Sequence, residues 1–234
     1  MGLETFGRDE FLDDVWDYHA GEHVTFLAPT GAGKTELKWG LLRVTATPNV
    51  PAVVLASKPK DRTTSTWMRK LDYRKVQSFP PATNPFRKKP SGYVLWPKHT
   101  FDPDVDDAHQ ARVFSGALRY VYKHGKYIVD VDEMLDMKDL GLERDERTLW
   151  TRGRSMDAGL WSGSQQPFHV PTYAYRQAQH MFIAKDPDKR SRQRFDEIGG
   201  FDSGLVGRWV MSLQKFQFLY LRRADGAACI VDKF

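Results

Sequence analysis

The chain has 234 residues, of which 35 are lysine or arginine and 30 are aspartate or glutamate, so its formal net charge is only +5. This length suits one α/β domain with a substantial core. The single cysteine, Cys229, excludes an intramolecular disulfide framework and a thiolate metal cluster. Because no apolar run approaches the length of a membrane span and the N-terminus has no signal-peptide pattern, we expect a soluble, cytoplasmic protein without a membrane partner.

Positive charge is concentrated in two stretches of the chain. The stretch from Lys58 to Lys89 contains ten lysines and arginines against two aspartates, and the stretch from Lys185 to Arg194 contains five basic and two acidic residues. Such clusters suit the phosphate backbone of a nucleic acid. A solvated basic face is an equally good interpretation of either cluster taken alone.

The first predicted elements are a helix and a strand. Apolar residues of the segment from Asp9 to Tyr18 fall on one side of a short amphipathic helix. An apolar strand follows at Val24 to Leu27, and a glycine-containing turn then ends in Gly33-Lys34-Thr35 before a helix-compatible segment. This order of strand, glycine turn and helix is the one that a phosphate-binding P-loop requires.

The P-loop interpretation assigns a role to each part of the turn. Gly31 and Gly33 permit a backbone in which successive N–H groups face an anion at the positive end of a helix. Lys34 would reach the β- and γ-phosphates of ATP, and the Thr35 hydroxyl would hold Mg²⁺. Ala28 departs from the strict pattern, which has glycine there, and an ordinary turn is the alternative. The predicted nucleotide-binding residues are Pro29, Thr30, Gly31, Ala32, Gly33, Lys34 and Thr35.

The middle of the chain is predicted to supply a second strand, a long loop and a helix. The apolar run from Pro51 to Ser57 fits a buried parallel strand, whose polar end places Lys58 and Asp61 near the nucleotide or in a surface loop. Residues 79–107, rich in proline and charge, read as a loop insertion containing one strand at Gly92 to Trp96. A helix is predicted from about residue 106 to residue 122.

A strand that ends in carboxylates follows. The run from Tyr127 to Glu133 is rich in β-branched residues and resembles a Walker B element. Asp132 would coordinate Mg²⁺ through water, and Glu133 would polarise the attacking water as a general base. The alternative is that both side chains cap the following helix. Asp130, inside the strand, receives no assignment.

A third stretch indicates which class of P-loop protein the chain resembles. An arginine- and glycine-containing segment, Leu149 to Gly159, precedes a strand that ends in Gln165-Gln166-Pro167. Together with the P-loop (the Walker A element) and the Walker B element, this order resembles the FtsK-HerA superfamily of P-loop ATPases over roughly residues 22–184. In that comparison Gln165 matches a sensor of the γ-phosphate, and Arg154 matches the second arginine of the family pattern. Arg152 is displaced by one position from the first arginine.

The resemblance implies a fold, an activity and partners. The fold would be a RecA-like α/β P-loop domain, mainly a parallel sheet flanked by helices, with an additional strand between the two Walker strands. The activity would be ATP hydrolysis that moves double-stranded DNA through a homo-oligomeric ring, a pentamer or hexamer, most specifically a bacteriophage DNA-packaging ATPase that docks on a portal or capsid protein in the host cytoplasm. The catalytic residues would be Glu133, Gln165 and an arginine finger from a neighbouring subunit, with Arg154 first, Arg152 second and Arg144 and Arg147 as further candidates. Candidate DNA contacts are Arg87, Lys88, Lys89, Lys189, Arg190 and Arg192.

The C-terminal part completes the predicted single domain of residues 1–234. A strand is predicted from His180 to Ala184, and residues 185–234 are interpreted as a basic segment followed by a β-hairpin. The hairpin strands are assigned to Trp209–Leu213 and Phe216–Leu221. Two other functions stay open at this stage, a P-loop kinase or nucleotide-handling enzyme and a nucleotide-gated phage assembly or secretion adaptor.

Overall fold

A computed structural model describes residues 2–82, 86 and 88–233 of the chain. Within that part of the chain, ten strands form one sheet. The strands are β1 (Thr5–Phe6), β2 (Val24–Leu27), β3 (Ala52–Leu55), β4 (Arg74–Val76), β5 (Gly92–Leu95), β6 (Tyr127–Val131), β7 (Ala158–Ser164), β8 (His180–Ala184), β9 (Phe218–Arg222) and β10 (Ala227–Val231). Their order across the sheet is β1-β10-β9-β8-β2-β7-β6-β3-β5-β4.

The seven strands from β8 to β4 in this order are all parallel, and β9 then pairs antiparallel with both β8 and β10. Strand β7 lies between β2, which leads into the predicted P-loop, and β6, which leads into the predicted Walker B carboxylates. The predicted α/β fold and its additional central strand are therefore confirmed. The carboxyl ends of these strands meet at one edge of the sheet, where ligands bind in open α/β folds.

Helices cover both faces of the sheet, so the central strands β2, β3, β6 and β7 are buried along almost their whole length. They are α1 (Arg8–Glu10), α2 (Lys34–Thr45), α3 (Arg62–Lys70), α4 (Pro103–His124), α5 (Met134–Asp139), α6 (Glu143–Arg152), α7 (Thr172–Gln177), α8 (Lys189–Gln193) and α9 (Ser203–Ser212). Val53 and Leu55 of β3 belong to one core, whereas Ala52 and Val54 belong to a second core on the opposite face. None of the helices in the described ranges is long and apolar enough to cross a membrane.

The C-terminal hairpin exists, and the second predicted strand, Phe216–Leu221, largely coincides with β9, but the prediction of the first strand was wrong. Residues Trp209–Ser212 lie in α9, and the hairpin is formed by β9 and β10. Asp202 caps α9 by accepting a hydrogen bond from the Leu205 N–H at 2.6 Å, and Val206 and Val210 bury one helical face. A short, mostly apolar run such as Trp209–Leu213 is compatible with a strand or a helix. The buried pair Val206 and Val210, four residues apart, has the spacing of a helix.

Two other stretches differ in detail from the predictions. The N-terminal helix is short, because α1 passes into a π-helical turn at Phe11–Val15 and the chain becomes extended at Trp16. The predicted loop of residues 79–107 contains β5 and also the first turn of α4, which begins at Pro103 with Asp102 as its cap. Helix α3 and strand β4 were not predicted.

Glu146 of α6 is expected to make stability fall as pH rises. Its carboxyl is 2% exposed and accepts a hydrogen bond from the Ser162 hydroxyl, and burial raises its pKa from 4.5 to about 7. Between these two values the folded protein binds more protons than the unfolded chain, so the free energy of unfolding decreases with pH by at most about 3 kcal/mol.

We therefore predict that Glu146→Gln flattens this dependence and unfolds at higher urea concentration than the wild type at pH 8. Urea titrations from pH 4.5 to 8 measure the effect, with Glu143→Gln at an exposed position of the same helix as the control. Equal pH slopes in the wild type and Glu146→Gln would contradict the assignment.

Candidate active site

The turn between β2 and α2 has the geometry of an anion-binding loop. Gly31 and Gly33 have φ of +79° and +98°, values that side chains with a Cβ rarely adopt. Gly33 is the N-cap of α2 and provides no side chain to satisfy the free N–H groups of the first helical turn. The start of the loop is anchored to β7, because the Ala28 N–H donates to the Ser164 carbonyl at 3.0 Å. The loop therefore presents helix N–H groups to an open cleft.

Lys34 extends from the loop to the end of β6. Its Nζ donates to the Asp132 carbonyl at 2.6 Å and lies 3.7 Å from Glu133 Oε2. The side chain is buried, and burial lowers its pKa. The structure thus brings together the lysine of the predicted P-loop and both carboxylates of the predicted Walker B element.

Asp132 is surrounded by three lysines. Lys58 lies 3.3 Å from its Oδ2, while Lys38 and Lys34 lie 3.4 and 3.8 Å from its Oδ1. Burial alone would raise the pKa of Asp132, but the three positive charges outweigh burial and hold it well below its usual range. The side chain is 27% exposed toward the cleft and is therefore an ionised carboxylate available to a cation.

Lys38 is the functional neighbour that sequence reasoning missed. It lies one helical turn after Lys34 on α2, is 1% exposed, and pairs with Asp130 Oδ1 at 2.9 Å while donating to the Val131 carbonyl at 3.1 Å. Burial favours the neutral amine, but the carboxylates of Asp130 and Asp132 prevail and raise the pKa of Lys38. Asp130, which sequence reasoning left unassigned, is the partner of this buried cation. Two features of the sequence could have predicted this pair: a lysine four residues after the P-loop lysine, and an aspartate inside an otherwise apolar strand.

Glu133 is joined by a hydrogen bond to Gln165, which borders the cleft. The Glu133 Oε2 accepts the Gln165 N–H at 2.7 Å, and the Gln165 side-chain oxygen accepts the Thr30 hydroxyl. Glu133 is also the N-cap of α5, with its Oε1 3.5 Å from the Leu135 nitrogen, so the capping alternative describes part of its role. The geometry links the predicted general base, the predicted sensor and the P-loop through direct hydrogen bonds.

Gly163 of β7 lets Lys34 cross the sheet edge. A Cβ at this position would lie 2.4 Å from the Asp132 carbonyl oxygen and 2.9 Å from Lys34 Nζ. We predict that Gly163→Ala displaces Lys34, weakens ATP binding at least about tenfold and destabilises the fold by about 1 to 3 kcal/mol. Calorimetric titration with MgATP and urea unfolding measure the two effects. Gly116→Ala is the matched control, since a Cβ there meets nothing within 4 Å; equal ATP affinity in both variants would contradict the prediction.

The predicted arginines lie at the opposite edge of the sheet from the P-loop of their own chain. Arg152 and Arg154 are exposed and line a surface cleft with His23, which precedes β2. Burial, with a contribution from the charge of Arg154, lowers the pKa of His23 to about 4. A strand as long as β7, which separates Arg154 from Gln165, spans about 20 Å. Neither arginine can therefore reach the phosphate loop within one chain.

The predicted DNA contacts fall into two separate groups. Arg87 lies outside the described residues, and Lys88 and Lys89 line a surface groove at the start of β5. The members of the second group, Lys189, Arg190 and Arg192, lie on α8, which follows the carboxyl end of β8. Arg192 donates to the Asp186 carbonyl at 3.2 Å and to the Pro187 carbonyl. Because five strand spacings separate β5 from β8, the two groups are about 24 Å apart across the sheet.

The residues present fit a magnesium nucleotide. Thr35 supplies a hydroxyl and Asp132 an ionised carboxylate in the same cleft, and Mg²⁺ prefers oxygen ligands of this kind. The loop N–H groups and Lys34 provide the positive field that a triphosphate requires. Every member of the predicted nucleotide-binding loop borders this cleft except Ala32, whose N–H instead closes the turn onto the Pro29 carbonyl.

Comparisons with known proteins locate the same fold. No protein-family profile and no curated protein sequence matches the chain. Among solved structures, it is similar to B204, the DNA-packaging ATPase from Sulfolobus turreted icosahedral virus, with 13% identity, 93% of this chain and 100% of that chain covered, and a TM-score of 0.66. It is also similar to the genome packaging NTPase B204 from Sulfolobus turreted icosahedral virus 2, in complex with ATP-γ-S. The identity is 11%, 93% of this chain and 100% of that chain are covered, and the TM-score is 0.63. A third similar structure is VirB4 of Thermoanaerobacter pseudethanolicus, with 11% identity, 91% of this chain and 89% of that chain covered, and a TM-score of 0.65.

Identities this low show a shared fold and nothing finer. The chain has the α/β fold of P-loop ATPases, and the predicted resemblance to FtsK-HerA ATPases and to viral packaging ATPases is confirmed at the level of the fold. The coverage of 93% of this chain is larger than the share spanned by residues 22–184, to which the sequence resemblance was confined.

Proposed function

We propose that this chain is an ATP-hydrolysing motor that translocates double-stranded DNA as a homo-oligomeric ring. The observation that carries the proposal is the convergence of Lys34, Asp132 and Gln165 on one cleft at the P-loop. Glu133 contacts two of these residues, with its Oε2 3.7 Å from Lys34 Nζ and 2.7 Å from the Gln165 nitrogen. The loop N–H groups and Lys34 would hold the phosphates, and Thr35 with Asp132 would hold Mg²⁺, which shields phosphate charge when bound. Glu133 would accept a proton from the attacking water, and Gln165 would orient that water or contact the γ-phosphate.

The position of Arg154 supports a site completed by a second subunit. A guanidinium stabilises the negative charge that spreads over the γ-phosphoryl oxygens. Since Arg154 and Arg152 are exposed at the sheet edge away from their own P-loop, they are free to meet the cleft of a neighbouring chain in a ring. A pentamer and a hexamer both satisfy this requirement.

The DNA substrate and viral packaging form the finer part of the proposal. The likeness to B204 and the basic surfaces at Lys88, Lys89, Lys189 and Arg190 support it. A ring needs positive charge only on its inner wall, where phosphates are gripped without base recognition. We infer that the most specific form is packaging of a viral genome into a capsid in the host cytoplasm, with a portal or capsid protein as partner.

The test is ATP turnover with and without long double-stranded DNA. We expect DNA to stimulate ATP turnover by the intact protein. We expect Arg154→Ala to abolish turnover. Mixing Arg154→Ala with Glu133→Gln should restore turnover, because sites that keep Glu133 would receive Arg154 from a neighbour; Arg208→Ala at an exposed position of α9 is the control. An ATP turnover rate that DNA does not change would favour a small-substrate kinase. Flotation of the protein with vesicles would favour an assembly or secretion adaptor.

A further inference from the structure

Phe216 lies on the wall of the P-loop cleft. It belongs to the short turn between α9 and β9, is 40% exposed, and borders the same cleft as Gly31, Lys34 and Thr35. Its ring packs on the loop backbone, because a Cβ at Gly33 would lie 3.5 Å from Phe216 Cδ1. Among the described residues that border this cleft, Phe216 is the aromatic one.

The turn holds this ring in an uncommon backbone conformation. Phe216 has φ of +68°, a left-handed value that bulky residues adopt rarely and that is found preferentially at functional sites. Two hydrogen bonds close the turn around it. The Gln217 N–H donates to the Gln214 carbonyl at 3.2 Å, and the Gln214 N–H donates to the Gln217 side-chain oxygen at 2.8 Å. Phe218, which is 1% exposed, then anchors the turn to β9.

The ring and the catalytic carboxylates lie on different sides of the P-loop. Strand β9, which follows Phe216, pairs with β8 on one side of β2, whereas Asp132 follows β6 beyond β7 on the other side. A triphosphate held by the loop with its terminal phosphate toward Asp132 would therefore direct its nucleoside toward Phe216. An exposed aromatic face at that end offers a surface for stacking.

We propose that Phe216 is the platform on which the base of the bound nucleotide stacks. The inference rests on the proposed nucleotide binding at Lys34 and adds to it the subsite for the base. Stacking uses the π-face that all bases share, and the loop residue against which the Phe216 ring packs is Gly33, which has no side chain to recognise a base. ATP and GTP are therefore expected to bind with affinities within a few-fold of each other.

The experiment compares a ligand that has a base with one that lacks it. Calorimetric titrations with MgATP and with magnesium tripolyphosphate are made on the wild type, Phe216→Ala and Phe216→Trp. We expect Phe216→Ala to weaken MgATP binding by about 5- to 150-fold, the range given by one base–aromatic stack, and to leave tripolyphosphate binding unchanged. Phe216→Trp should retain MgATP affinity.

Phe101→Ala is the matched control for this series. Phe101 is 72% exposed and also has a left-handed backbone, with φ of +67°, but it lies on the loop after β5, four strands from β2. Unchanged MgATP affinity in Phe216→Ala, or equal weakening of both ligands, would overturn the base subsite alone. A wild-type protein that binds neither ligand would overturn the proposed function and the base subsite with it.

Discussion

Replacing Lys38 with methionine is expected to lower the free energy of unfolding by about 3 to 5 kcal/mol. The substitution removes the cation that pairs with Asp130 at 2.9 Å and leaves a carboxylate that is 4% exposed without its partner. It also removes one of the three lysines that keep Asp132 ionised. Urea unfolding at neutral pH measures the loss.

The double variant Lys38→Met/Asp130→Leu should recover most of that stability, since it replaces both members of the pair with apolar groups. Lys123→Met, at an exposed position of α4, is the control for a lysine without such a partner and is expected to change stability by less than about 0.5 kcal/mol. A single Lys38→Met variant as stable as the control would show that the buried pair contributes nothing to the fold.

The second large effect is expected at Glu133. Glu133→Gln keeps a side-chain oxygen that can accept the Gln165 N–H, so this hydrogen bond is preserved while the general base is lost. Turnover of ATP should fall by about 10² to 10⁴, and the Kd for MgATP should change by less than about threefold. Steady-state hydrolysis and calorimetric titration of the same preparation separate these two quantities.

Glu143→Gln, an exposed carboxamide substitution at the start of α6, serves as the matched control and should hydrolyse ATP at the wild-type rate. If Glu133→Gln kept wild-type turnover, the catalytic role would have to move to another carboxylate near the cleft. Glu36 of α2, which also borders the cleft, would be the first candidate.

The P-loop and the carboxylates at the end of β6 could be predicted because their signals are local. Gly31, Gly33 and Lys34 stand in one short turn whose backbone requirements are visible in the residue types. Asp132 and Glu133 directly follow a strand of β-branched residues, and the carboxyl ends of parallel strands meet at one sheet edge. The sheet order with β7 between β2 and β6 followed from the resemblance that these motifs carry.

The features that were missed depend on contacts between distant parts of the chain. The Lys38–Asp130 pair joins a helix to a strand, and Gly163 is needed only because Lys34 passes over β7. Phe216 was assigned to a strand because its neighbours are apolar, whereas a left-handed turn closed by Gln214 and Gln217 determines where its ring points. The roles of Arg152, Arg154 and the basic residues stay predictions, since they involve a second subunit or DNA.

The most direct test of the central claim is calorimetric titration of MgATP into the wild type and into Lys34→Met. Methionine keeps the length and apolar stem of Lys34 but removes the ammonium group that lies 2.6 Å from the Asp132 carbonyl and faces the loop. If the cleft is an ATP site, the wild type binds one MgATP per chain and Lys34→Met loses at least about tenfold in affinity, because the phosphates lose their principal cation. Equal affinities in the two proteins would show that ATP binds elsewhere or not at all, and would contradict the ATPase motor as a whole.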